Sequence, residues 1–159
     1  MTNEQQIRRA DRTRDGDPQN VPCPLEGEAD RTVVETTRGE VQPMQVAAGV
    51  ATVGELEVIE LLDRGAALVD TRVPDSRSGV SLPGAVNIPH EDIVERKGEL
   101  DPARTTIVFC NGPQCPQSPD AIRKLIDAGY PASALAYYRG GLHDWATLGF
   151  PLASVRPAS

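Results

Sequence analysis

The feature that most constrains this chain is the alternation of short apolar runs with amphipathic stretches. Ala66–Val69, Ala85–Ile88, Thr105–Phe109 and Leu135–Tyr138 are each only four or five residues long, the length of strands buried on both faces. Between them apolar residues recur at helical spacing: Val53, Leu56, Ile59 and Leu62, then Ile122, Leu125 and Ile126, then a last stretch over 142–148 carrying Trp145. His90–Glu95 has room for one helical turn. Strands joined through helices run parallel, with helices covering both sheet faces. The pattern predicts an α/β sandwich.

Local punctuation sets the boundaries. Thr52-Val53-Gly54-Glu55 has the form of a capping box, in which a Thr hydroxyl and a Glu carboxylate satisfy the first helical amides. Gly65 and Gly129 follow the first two helical stretches as left-handed caps. Ser118-Pro119 reads as an N-cap with proline at the first helical position. Gly140-Gly141 turns the chain into the last helix. Residues 46–155 are expected to form one domain. Residues 1–45 read as an N-terminal extension, because Met1–Asp30 is charged, aperiodic and broken by Gly16, Pro18, Pro22 and Pro24. With few apolar groups to offset ordering entropy it is expected to be largely mobile. A small hairpin is expected at 32–46, where Thr32–Thr37 and Val41–Val46 flank Arg38-Gly39-Glu40.

Composition bears on function mainly by exclusion. Sixteen Lys+Arg against 23 Asp+Glu leave a net charge of −7, which argues against nucleic-acid binding through a basic stripe. No apolar run approaches the roughly 18–20 residues of a membrane span. The opening MTNEQQIRRADRTRDG lacks the apolar region of a secretory signal, so the expected compartment is the cytoplasm, with no membrane partner. Cys23, Cys110 and Cys115 do not make a disulfide framework, and with His90 and His143 they meet no zinc spacing, so no metal or cofactor is expected. Cys23 has no activating neighbour.

Cys110 and Cys115 share the loop Cys110-Asn111-Gly112-Pro113-Gln114-Cys115-Pro116-Gln117-Ser118, between the most apolar strand and a capped helix. In parallel sheets ligands sit beyond the carboxyl ends of the strands. A thiol there faces the free amides and positive end of the next helix, which favours the nucleophilic thiolate. Gly112 is expected to let the loop wrap inward through a positive φ. The competing reading is a small buried hydrophobe ending a strand.

Four segments in register resemble a single-domain rhodanese over residues 46–152: Leu68-Val69-Asp70-Thr71-Arg72, Leu82-Pro83-Gly84-Ala85-Val86-Asn87-Ile88-Pro89, Ile107-Val108-Phe109-Cys110, and Arg139-Gly140-Gly141-Leu142-His143-Asp144-Trp145. The resemblance implies a three-layer sandwich with about five parallel strands. It also implies transfer of sulfane sulfur, through a cysteine persulfide, to a thiol or cyanide acceptor. The donor would be a small sulfur compound or a persulfide-bearing protein. Cys110 would be the nucleophile, with Cys115 the alternative or the resolving thiol. Asn111, Gly112, Gln114, Cys115, Gln117 and Ser118 would form the active-site loop, supported by Asp70, Arg72 and Arg139. Pro83-Gly84 reads as turn chemistry, Trp145 as core, and His143 as a surface residue of the last helix.

The loop departs from the family in two ways. It is about two residues longer than usual, so counting from the helix moves the key position toward Cys115. It also holds no Arg or Lys, and Pro113 and Pro116 remove amide donors. An anionic donor such as thiosulfate therefore needs Arg72, Arg77 or Arg139 to reach in, and phosphatase chemistry is disfavoured. Two other functions stay open: a thiol redox switch using the Cys110/Cys115 pair, and a non-catalytic binding module on the same scaffold.

Overall fold

The structure, a computed structural model, describes Cys23–Leu25, Glu28–Val33, 41–74 and 79–155. In chain order the elements are β1 (Cys23–Leu25), β2 (Glu28–Val33), β3 (Ala51–Val53), α1 (Glu55–Asp63), β4 (Ala67–Asp70), β5 (Val80–Ser81), β6 (Val86–Asn87), β7 (Thr106–Phe109), α2 (Gln117–Asp127), β8 (Leu135–Tyr138), α3 (Gly141–Thr147) and β9 (Ala153–Ser154). Five of them form one sheet in the order β3-β8-β7-β4-β6, and every pairing in it is parallel. Parallel pairing brings all five carboxyl ends to one edge, where the cysteine loop leaves β7.

Strand alternation sorts the core into two layers. Ile107 and Phe109 of β7 join Leu68, Ala136 and Tyr138 against Val58 of α1 and Leu142 and Trp145 of α3. Val108 joins Val69, Leu135 and Tyr137 against Ala121, Ile122 and Leu125 of α2. Ile107, Val108 and Phe109 are each 0% exposed, and such side chains contribute about 1.5–3 kcal/mol apiece. Trp145 is core as expected, its Nε1 donating to the carbonyl of Pro151 at 2.8 Å. Gly65 (φ 93°) and Gly129 (φ 91°) end α1 and α2 in the left-handed conformation.

One local expectation is corrected. Thr52 does not cap a helix: it lies in β3, opposite Tyr137 of β8, and its hydroxyl donates to the carbonyl of Met44. The open edge of β8 recruits 51–53 as a fifth strand, which outweighs the capping preference. The helix starts two residues later at Glu55, with the Gly54 amide donating to Glu57 Oε1 at 3.1 Å. Of the hairpin expected at 32–46, the turn lies outside the described residues, and 41–46 shows no strand. β2 pairs antiparallel with β1 upstream of it, whereas 41–46 is irregular and docks on the domain, as the Gln42 contacts below show. Residues 34–40 lie outside the described residues, as do 1–22, on which most of the expected mobile extension falls. Val46 and Val50 belong to the α2-side core, and β9 pairs antiparallel with β5 at the other end of the chain.

Candidate active site

Phe109 ends β7, and the loop from Cys110 to Pro116 carries the chain to α2. Leu142 N donates to the carbonyl of Cys110 (3.0 Å) and His143 N to that of Asn111 (2.7 Å), so the first turn of α3 clamps the loop. That approach needs glycine. A β-carbon on Gly141, which has φ 59°, would collide with the Cys110 carbonyl. Gly112 corrects an expectation, for it is not among the positive-φ glycines. Its small size suits a close approach, since a β-carbon there would lie 3.0 Å from Cβ of His143. His143 accordingly lies half-buried over the loop, not out on the surface, with Nδ1 2.7 Å from Asp144 Oδ1.

Both cysteines are free and nearly sealed, Cys110 being 2% and Cys115 3% exposed. Their environments differ. Cys110 follows Val108 on the α2 face of the strand, where burial and the adjoining Cys115 push its thiol well above the ordinary range; the hydroxyl and amide of Ser118 oppose this. Its Sγ also lies 3.4 Å from the Cys115 carbonyl as a donor. The Cys115 thiol is pulled down, first by the hydrogen bond from Cys110. Burial opposes that pull, while the amides of Gln117 and Asn111 and the charge of Arg72 reinforce it. Of the two thiols, Cys115 is therefore the one that ionises more readily. Both loop prolines leave these donors intact.

Ser118 departs from the expected N-cap. It lies inside α2, which begins at Gln117, and its Oγ is 2.8 Å from Oγ1 of Thr71. Burial next to β4 gives that hydroxyl a nearer partner than the helix amides. Thr71 also donates to the carbonyl of Phe109 at 2.9 Å, joining the ends of β4, β7 and α2. Gln117 is buried and its Oε1 has no partner among the described residues; Gln114 is half-buried in the loop.

Beneath the loop lies a buried charged frame. Arg72 and Asp70 are both 0% exposed, joined by Nε to Oδ1 (2.9 Å) and Nη2 to Oδ2 (2.8 Å). Arg72 Nη1 reaches Asn111 Oδ1 (2.8 Å) and Nη2 reaches the Val80 carbonyl (2.6 Å). Ser81 Oγ donates to Asp70 (2.8 Å), and Asn87 Nδ2 donates to the carbonyls of Asp70 (2.9 Å) and Arg72 (2.8 Å). Asp70 and Arg72 thus tie the loop to β5 and β6. With these bonds made, Arg72 serves as framework for the loop and a fixed charge behind Cys115.

Arg139 turns toward the segment that precedes the domain. Its Nε and Nη2 donate to the carbonyl of Gln42 (2.9 and 2.8 Å), while the Gln42 amide donates to the Pro113 carbonyl (2.7 Å). Gln42 therefore pins the segment before the domain across the cysteine loop. Arg77 lies outside the described residues. On the rim, His90 Nδ1 is 2.7 Å and Lys124 Nζ 2.9 Å from Asp120 Oδ2; they hold the Asp120 carboxyl below its ordinary range although burial opposes them. Sequence reasoning missed Thr71, Asn87, Gln42 and the His90–Asp120 pair. Thr71 and Asn87 stood within quoted segments as polar residues amid apolar ones; Gln42 carries no local signal. Among the described residues no group of three or more His, Cys, Asp or Glu forms a metal site, and no helix is long and apolar enough to cross a membrane.

Comparison with known proteins bears on this geometry. A family model described as Rhodanese-like domain matches residues 55–148. The HTH-type transcriptional regulator Rv0324 of Mycobacterium tuberculosis is 34% identical over 90 residues, 57% of this chain. The chain spans only 38% of that regulator's length. Among solved structures, a thiosulfate sulfurtransferase from Pseudomonas aeruginosa is 29% identical with a TM-score of 0.56, over 67% of this chain and 21% of that one. A full-length Lactobacillus plantarum protein matches at TM-score 0.57 and 22% identity, over 65% of this chain and 88% of its own, a likeness of fold.

Proposed function

The chain belongs to the rhodanese-like domain family, and from that premise we propose that it is a sulfurtransferase whose sulfur-carrying residue is Cys115, with Cys110 its neutral partner thiol. One observation carries this reading: Cys115 stands two residues before α2 begins at Gln117, where the adjoining Cys110 thiol and the amides of Gln117 and Asn111 pull its thiol down. This exchanges the two roles expected from strand register.

The Cys115 thiolate attacks the sulfane sulfur of a donor. An S–S bond forms to Cys115 as the donor's own bond to that sulfur breaks, and the donor departs with the bonding pair. The product, Cys115–S–S⁻, is an anion that the same amides stabilise without reorganising. An acceptor thiolate or cyanide then takes the outer sulfur and restores the Cys115 thiolate. The loop 110–118 holds no Arg or Lys, and Arg139 is bound to the Gln42 carbonyl. These features favour a persulfide donor over dianionic thiosulfate.

The near-complete burial of both sulfurs favours a second reading, a binding module that does no chemistry. Intact-mass analysis after treatment with an organic persulfide separates the two. The sulfurtransferase takes up sulfur at Cys115, seen as the mass of one sulfur atom added to that peptide or as hydrosulfide released from it, and the Cys115→Ser variant shows neither. A chain that takes up no sulfur and alkylates no faster than a model thiol peptide is a binding module.

A further inference from the structure

The transfer cycle above uses Cys110 only as a hydrogen-bond donor, which a serine would serve equally well. Its position suits a second task. The Cys115 amide donates to the Gly112 carbonyl at 3.0 Å, and this turn folds the loop back until the two cysteines meet. The Cys110 Sγ then lies 3.4 Å from the main-chain carbonyl of Cys115 as a donor, within the same buried turn. It is covered by Ser118, and the Gln42 contact with Pro113 lies across the same loop. An outside acceptor must open this cover, whereas Cys110 is already inside it.

We infer that Cys110 discharges the Cys115 persulfide internally, releasing hydrosulfide and closing a Cys110–Cys115 disulfide. The inference rests on the sulfurtransferase reading. The Cys110 sulfur, as it gives up its proton, attacks Sγ of Cys115. An Sγ–Sγ bond forms, the bond from Cys115 Sγ to the outer sulfur breaks, and that sulfur leaves with the electron pair and the Cys110 proton as HS⁻. The two cysteine sulfurs are oxidised, the sulfane sulfur is reduced, and no other oxidant is needed. The proton starts on Cys110, which points it at the Cys115 carbonyl, and leaves with the hydrosulfide. A dithiol reductant resets the pair by thiol–disulfide exchange. The protein then turns an incoming persulfide into hydrosulfide and a closed site, and sulfur passes to an external acceptor only when that acceptor arrives before Cys110 attacks.

The test treats the reduced full-length chain with glutathione persulfide in the absence of any acceptor, following hydrosulfide and the mass of the 110–115 region. The expected result is one hydrosulfide per chain and a peptide cross-linked between Cys110 and Cys115. The Cys110→Ser variant keeps a donor toward Cys115 and is expected to hold the extra sulfur on Cys115 and release none. If the wild-type chain also keeps the added sulfur, with no cross-link, the inference is overturned while the sulfurtransferase reading stands. If neither protein gains sulfur at Cys115 and no cross-link forms, both fail. Should Cys110→Ser not fold, the cross-linked peptide and the hydrosulfide burst of the wild type decide alone.

Discussion

Arg139 donates two hydrogen bonds to the main-chain carbonyl of Gln42, a residue 97 positions earlier in the chain. Replacing Arg139 by alanine removes both and loosens the hold of Gln42 across the cysteine loop. The expected cost is about 1–3 kcal/mol, read by urea denaturation. Iodoacetamide labelling of Cys115 is expected to accelerate, because the cover opens more often. An unchanged labelling rate would show that this segment does not control access.

The Asp70–Arg72 pair is fully buried, so removing one partner strands a charge. Arg72→Met is expected to destabilise the fold by about 3–5 kcal/mol. Arg72→Lys is also expected to fail as a substitute, since one ammonium cannot reach Asp70, Asn111 and Val80 together. Denaturation midpoints of both variants check this, and a midpoint near wild type for Arg72→Lys would contradict the framework role.

Cys115 labelling should follow a thiolate curve whose midpoint lies below that of a free cysteine peptide. Cys110→Ala is expected to move that midpoint upward, because the Cys110 hydrogen bond is the largest cause of the depression. The stability linkage has a definite sign. A thiol depressed in the folded state contributes stability above its unfolded pKa and loses it as pH falls through the folded one. Cys110, raised in the folded state, opposes this by favouring the fold below its unfolded pKa and losing that contribution at alkaline pH. Cys110→Ala removes its own contribution and weakens that of Cys115, so stability should depend less on pH across the thiol range, read by urea denaturation at several pH values.

Gly141→Ala introduces a left-handed alanine, costing about 1–3 kcal/mol, and drives its methyl into the Cys110 carbonyl. Loss of stability together with loss of sulfur loading is expected. Gly149→Ala provides the control, because Gly149 also has a positive φ but open space around the added carbon, so it should lose stability alone.

Tyr137 is 0% exposed and its hydroxyl has no hydrogen-bond partner among the described residues. Burial, reinforced by the nearby Cys110, pushes its ionisation far up. Tyr137→Phe is expected to raise stability by about 1 kcal/mol by removing an unmatched polar atom. Thermal melts check this, and a fall would reveal a bound water serving that oxygen.

The parts of this molecule readable from residues alone are those set by local pattern. Leu135–Tyr138 is the strand it was expected to be, and Gly65 and Gly129 end their helices. β3 was hidden because Ala51–Val53 becomes a strand only through the edge that β8 presents. The site divides the same way. A cysteine loop after β7 is legible because apolar register places it there. Which sulfur ionises depends on the fold-back at Gly112 and on where the Ser118 hydroxyl turns, and neither leaves a trace in spacing. The partner of Arg139 was not legible because Gln42 lies in a segment with no period of its own.

The antiparallel pairing of β9 with β5 reaches further than its two rungs suggest. β5 supplies the Val80 carbonyl that holds Arg72, and Arg72 holds Asn111, so the tail helps brace the cysteine loop from behind. The family match runs over 55–148, yet the mechanical unit extends from Gln42 to Ser154. A transplant cut to the matched borders would carry the cysteines into a new host and leave behind the struts that aim them.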